Sequence, residues 1–218
     1  METEDCMNSW KKGIKKIIDN NTIITSMSGR KYYELENLKL IINNPNKDID
    51  EVLIKVSELP IFYPSKEELK KFILNKNRIP GFSYTYGRRI FNYGSNKINQ
   101  FDDFIIPLLK SNPNSKRAIV NLWEPKYDSK SYKKDTPSFI LISFRLINDK
   151  LNITTITRSL DFIFGWPSHI YQTIVLQEYI TKKLIKTYPN IQPGKITNLI
   201  LNALIFKELE EYTNKILN

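Results

Sequence analysis

Fifteen residues, RSLDFIFGWPSHIYQ from Arg158 to Gln172, gather an arginine, a serine, an aspartate and the only histidine of the sequence. They read as a strand-turn-helix passage. Arg158 and Ser159, directly after the strand, can fork a phosphate: a guanidinium offers parallel N–H groups and a hydroxyl adds a third donor. Ser115-Lys116-Arg117, in SNPNSKRAIVNLWEP, repeats the arrangement, with two cations at the mouth of a strand after a tight turn. The plainer alternative pairs Arg158 with a carboxylate such as Asp161 and leaves Lys116 and Arg117 solvated. His169, at a helix start, offers one donor and one acceptor when neutral, enough to bond either the turn or the edge of a ligand base.

The elements that must position these residues follow from periodicity and turn chemistry. Asn8–Asn20 sets Trp10, Ile14, Ile17 and Ile18 at helical spacing. TIITS (Thr22–Ser26) and LKLIINN (Leu38–Asn44) read as strands. Ser65 with Glu68 three residues later forms a capping box ahead of KEELKKFIL. Gln100–Lys110 reads as an amphipathic helix ended by NPNS, and AIVNLW as a strand. Lys126–Asp135 is a lysine- and serine-rich loop. SFILISFRLI and KLNITTITR form a strand pair across an Asn148-Asp149 turn. Gly165 and Pro167 read as a turn before a long helix, IYQTIVLQEYITKKLIKTY. GKITNLILNALIF is a further strand, and KELEEYTNKIL a closing helix. Helices and strands mix without regular alternation, which predicts an α+β fold, here as one domain over 1–218.

With 41% hydrophobic and 12% aromatic residues, the 218-residue chain can bury a sizeable core. The start, METEDCMNSWKKG, has no apolar signal-peptide core, and no run is long enough to span a bilayer. A cytoplasmic protein is expected, with no membrane partner. Cys6 is the only cysteine, so neither a disulfide framework nor a cysteine-based metal site is available, and no metal is expected. The net charge of +10 is spread over many lysines rather than concentrated in an arginine-rich tail. It suits a small phosphorylated ligand better than a polynucleotide.

Taken together, YTYGRR, NQFDDFIIPLLKSNPNSKRAIVNLWEP, the strand pair from Ser138 and RSLDFIFGWPSHIYQ form an ordered series. In that order and spacing the sequence resembles the thymidylate synthase superfamily, including the pyrimidine nucleotide hydroxymethylases, and in particular its short archaeal-type members. The resemblance implies a large mixed β-sheet flanked by helices, a homodimer formed through a sheet face, and a pyrimidine nucleoside monophosphate (dUMP, dCMP or CMP type) as ligand. It implies that Arg158 and Ser159 hold the phosphate and that Lys116 and Arg117 reach it across the dimer. A lysine at Lys116 keeps the charge of the usual arginine but loses its planar fork. Tyr86, in the Tyr86-Gly87 turn, would wall the site, and Asp161 would stand beside the base and folate pockets. The implied chemistry is one-carbon transfer to pyrimidine C5, a methyltransferase or hydroxymethyltransferase reaction with a reduced folate or pterin donor.

Three departures bear on activity. The family's nucleophilic cysteine follows a proline at the head of a strand; here Pro137 is followed by Ser138. A thiol ionises far more readily than a serine hydroxyl, which needs an adjacent base. His169 stands where the family reads the base with asparagine. Leu204 and Phe206 fall where a sugar-contacting His-x-Tyr pair is usual, and neither can donate a hydrogen bond. Arg30, in SGRKYYEL, is a further phosphate-ligand candidate. The sequence therefore leaves open an active C5-modifying enzyme, a nucleotide-binding homologue with altered or lost catalysis, and a non-catalytic interaction or nucleic-acid-binding module that kept only the fold.

Overall fold

The computed structural model describes residues 1–130 and 135–218. In chain order it contains β1 (Glu2–Thr3), α1 (Cys6–Asp19), β2 (Ile23–Thr25), β3 (Lys31–Ile42), α2 (Ile49–Ser57), α3 (Lys66–Leu74) and α4 (Tyr86–Phe91). A π-helical segment, Gln100–Ile105, runs into α5 (Ile106–Ser111), followed by β4 (Ile119–Asn121) and α6 (Pro125–Asp128). The hairpin β5 (Phe139–Ile147) and β6 (Lys150–Asp161) leads to α7 (Gly165–Leu184), β7 (Gln192–Phe206), a 3₁₀ turn (Lys207–Leu209) and α8 (Glu210–Leu217).

Among the described residues the strands form one sheet in the order β1-β3-β7-β6-β5-β4, with β2 on β3. It is mixed: β1–β3 and β6–β7 run parallel, the other pairs antiparallel. The α+β class and the large mixed sheet flanked by helices are as expected. The parallel β6–β7 pair requires a crossover, and α7 supplies it. The β5–β6 hairpin closes through Asn148 and Asp149, both left-handed at φ 50° and 60°, the geometry of a two-residue primed turn.

Alternation along the central strands separates two faces. Leu151, Ile153, Thr155 and Thr157 of β6 are buried and face the helices, as do Ile142, Phe144 and Leu146 of β5. Helices α1 and α7 pack on that side, with α2 and α3 against α7. Trp10, Trp166, Phe101 and Phe162 are fully buried, and Trp10 Nε1 donates to Phe162 O at 2.7 Å. On the other face Leu141, Thr154, Ile156 and Leu199 stay partly or fully exposed.

Three local expectations change. Gly165 and Pro167 are not a turn before the long helix; they lie inside the first turn of α7, which begins at Gly165. First-turn N–H groups have no intrahelical acceptor, so the N–H that proline lacks costs nothing there. The expected Gln100–Lys110 helix starts π-helical. The Ser65–Glu68 capping box forms as expected. Of the expected Lys126–Asp135 loop, the first residues belong to α6, and 131–134 lie outside the described residues.

Candidate functional site

The segment Thr136–Phe139, leading into β5, is held from three sides. Arg158 donates from Nε to Pro137 O at 3.0 Å and from Nη2 to Thr136 O at 3.1 Å. The Tyr86 hydroxyl accepts from the Ser138 and Phe139 N–H groups at 3.2 and 3.3 Å. Ser138 Oγ donates to the carbonyl of Ser159. The structure thus brings together Tyr86, Ser138, Arg158 and Ser159. Arg158 uses two of the five N–H groups of its guanidinium on these carbonyls, which leaves donors for an anion. On the sheet face opposite α1 and α7 it lines an open cleft of about 410 Å³ with Asn121, Trp123, Leu141 and Ile156.

Tyr86 is delivered by α4, which Thr85 caps by accepting from Arg88 N. The next residue has to be glycine: a Cβ on Gly87 would stand 2.5 Å from Asn75 O and 2.6 Å from Ile73 O. That backbone contact presses α4 onto the end of α3. Burial raises the pKa of Tyr86, so its hydroxyl stays protonated. Arg89, one turn into α4, forms a buried ion triad that sequence inspection misses. Its Nη2 lies 2.8 Å from Asp128 and its Nη1 3.2 Å from Glu124, with side-chain exposures of 8% for Arg89 and 0% for Asp128. The triad ties α4 to α6 and to the end of the β4 segment.

His169 lies under this segment. Its ring stacks on Phe139 with centroids 4.0 Å apart and meets Tyr86 edge-on at 5.7 Å. It is 8% exposed, its Nδ1 has no hydrogen-bond partner, and burial holds its pKa down at about 3. No hydrogen bond joins it to Ser138 in this arrangement, so it does not serve there as a base. The native protein keeps His169 neutral while the unfolded chain protonates it near the ordinary value of 6.5. Stability is therefore expected to fall as pH drops below about 6.5, by about 1.4 kcal/mol per pH unit, or about 2 kcal/mol by pH 5. Because it is the only histidine, urea denaturation between pH 6.5 and 5 should show this slope in wild type and lose it in His169→Gln.

The remaining candidates are placed differently. Asp161 does not pair with Arg158; its Oδ1 accepts from Ile163 N at 2.9 Å and Phe164 N at 2.8 Å, closing the turn before α7. Burial raises its pKa against those bonds. Lys116 and Arg117 are exposed at the start of β4, where Phe144 N bonds Ala118 O. Six residues of β5 separate Phe144 from Ser138, about 20 Å at the usual strand rise. Within one chain they do not reach Arg158. Arg30 is engaged elsewhere: Nη2 lies 2.6 Å from Glu208, and its guanidinium stacks 3.6 Å over Phe206. Leu204 pairs with Asp161 in the β6–β7 register, and Phe206 with Tyr32 of β3. Among the described residues no group of three or more acidic, histidine or cysteine side chains could hold a metal, and no helix is long and apolar enough to cross a membrane.

Residues 67–218, more than two thirds of the chain, match the family model for thymidylate synthase. The chain belongs to the thymidylate synthase family. Archaeal proteins that carry the thymidylate synthase name are similar along most of their length. One from Methanosarcina barkeri is 30% identical over 199 residues, covering 91% of this chain and 85% of its own. One from Methanosarcina mazei is 28% identical over 206 residues, covering 94% and 88%. A third, from Methanocaldococcus jannaschii, is 33% identical over 180 residues, covering 78% and 76%. The thymidylate synthase match spans Tyr86, Lys116, Arg117, Ser138, Arg158, Ser159, Asp161 and His169, whereas Arg30 precedes it.

Proposed function

We propose that this member of the thymidylate synthase family binds a pyrimidine nucleoside 5′-monophosphate where β5 begins and β6 ends, with Arg158 and Ser159 on the phosphate and His169 facing the base. The observation that carries the reading is Arg158 itself. Its guanidinium is oriented by two backbone carbonyls, retains free N–H donors, and stands next to Ser138, Ser159 and Tyr86. A preorganised fork of this kind recognises a phosphate dianion better than a mobile lysine does.

The proposal includes a homodimer built on the sheet face opposite α1 and α7. Leu141, Ile156 and Leu199 give that face an apolar centre, and Arg158 opens onto it. A second copy laid there could bring its own Lys116 and Arg117 to a phosphate that the first copy's pair cannot reach. The site's chemistry is proposed to be altered from the family's, because Ser138 occupies the position that the resemblance assigns to the nucleophilic cysteine. Its hydroxyl proton goes to a backbone carbonyl rather than to a base. A reduced folate or pterin would enter only as the one-carbon donor; Asp161 would face it, with one carboxylate oxygen already committed to the α7 turn.

Isothermal titration with dUMP, dCMP and CMP and with the matching nucleosides tests the binding. Saturable binding of at least one monophosphate, weakened at least tenfold when the phosphate is removed, is expected. No binding of any of them would refute the reading.

A further inference from the structure

Along the seam between α7 and the sheet, four buried side-chain atoms have no hydrogen-bond partner among the described residues: His169 Nδ1, Thr157 Oγ1, Asn198 Oδ1 and Gln177 Oε1. Buried polar atoms in folded proteins nearly always have one, so four in one seam call for a physical cause. The placement is coherent. His169, Thr173 and Gln177 recur every four residues on α7 and share a side of the helix. Gln177 marks one end, where its Nε2 donates to Leu151 O at 2.6 Å and Gly194 O at 3.0 Å. His169 marks the other, stacked at 4.0 Å on Phe139, which pairs directly with Thr157 across β5 and β6. Between them, Asn198 stands beside Thr155 in the β6–β7 register and donates to its hydroxyl.

Their neighbours in the strand register and the His169–Phe139 stack place these groups close enough for bridged contacts. Side chains paired across strands lie about 5 Å apart, and those two apart along a strand about 6.6 Å. One water making two ordinary hydrogen bonds spans about 5.5 Å. A buried water typically makes about three such bonds and satisfies groups that cannot reach one another. We propose that an ordered buried water joins His169 Nδ1 to Thr157 Oγ1 and that the hydrated seam continues to Asn198 Oδ1. Thr157 is then a positioning residue: through the water it sets which ring nitrogen of His169 carries the proton. The bond made by one imidazole nitrogen fixes the tautomer, and so decides whether the other presents a donor or an acceptor. The consequence for base selection rests on the nucleotide reading above, but the hydrated seam does not.

The test uses the free, full-length, ¹⁵N-labelled protein, so it stands or fails separately from nucleotide binding. With one histidine in the chain, the two ring nitrogens give an unobscured pair of resonances. Thr157→Val is expected to lower Tm by about 3–8 °C, since it strips the water of a partner, and to change the separation of the two ring shifts. Thr157→Ser, which keeps the hydroxyl, should retain the wild-type separation. An unchanged or raised Tm in Thr157→Val is the result for a dry, unsatisfied hydroxyl, and it overturns the proposal. So does a ring-shift separation that valine leaves untouched, or a serine variant that behaves like valine. Should Thr157→Val fail to fold, a wild-type crystal structure at a resolution that shows ordered water decides the matter: an empty seam refutes it.

Discussion

Replacing Arg89 with methionine is expected to cost about 3–5 kcal/mol of stability, because the substitution removes the buried cation that bridges Glu124 and the fully buried Asp128. Arg89 is almost wholly buried between Glu124 and Asp128, and the Asp128 carboxylate has no exposure at all. Removing one partner of a buried ion pair takes away part of the charge compensation of the group that stays desolvated, and that penalty exceeds the net worth of the pair. Arg89→Lys keeps the charge but offers a single point donor to two carboxylates and should fall between wild type and Arg89→Met. Chemical denaturation measures both. The loss should also reach the site, because Arg89 anchors the helix that delivers Tyr86, and the Tyr86 hydroxyl holds the Ser138 and Phe139 N–H groups. A methionine variant as stable as wild type would show that the triad contributes nothing net.

The largest expected effect on chemistry comes from Ser138→Cys. As it stands, the Ser138 hydroxyl donates to the Ser159 carbonyl, and the sole histidine is buried against Phe139 rather than bonded to it. A hydroxyl without a base is a poor nucleophile. A thiol beside the Arg158 cation is partly ionised at neutral pH and intrinsically far more reactive. If nucleotide binds as proposed, addition at C6 should labilise the C5 proton. Tritium release from a 5-tritiated pyrimidine monophosphate is then expected to rise about 100-fold or more in Ser138→Cys over wild type. Wild-type release equal to that of the cysteine variant would mean that Ser138 is activated by a group this arrangement does not contain.

Much of the frame is legible in the sequence because its signals are local. Asn148-Asp149 between two β-branched runs specifies a hairpin, and Ser65 with Glu68 specifies a helix start; both form as expected. The start of α7 is harder to read, because Pro167 is a breaker everywhere except in the first turn of a helix, which is where it sits. The site is legible only where its residues lie close in sequence. Arg158, Ser159 and Asp161 stand out as a group. That Arg158 is oriented by Thr136 and Pro137, and not by Asp161, depends on the β5–β6 register and a loop 21 residues away. The Arg89 triad draws on partners 35 and 39 residues downstream, with no spacing rule to announce them. Likewise, nothing near His169 in the sequence predicts that its ring lies on Phe139 with Nδ1 buried.

If Arg158 anchors the phosphate of a pyrimidine nucleoside monophosphate, a thermal-shift panel reads that contact. Wild type and Arg158→Ala are melted with uridine and cytidine monophosphates, ribo and deoxy, each well above its dissociation constant. A ligand held at about 100 times that constant stabilises the native state by about 2.7 kcal/mol, roughly 5–11 °C for a chain of this size. At least one monophosphate should raise the wild-type Tm by that order and leave Arg158→Ala, itself folded, unmoved. A wild-type shift that survives intact in Arg158→Ala, or no shift with any of the four nucleotides, would rule out a phosphate held by Arg158.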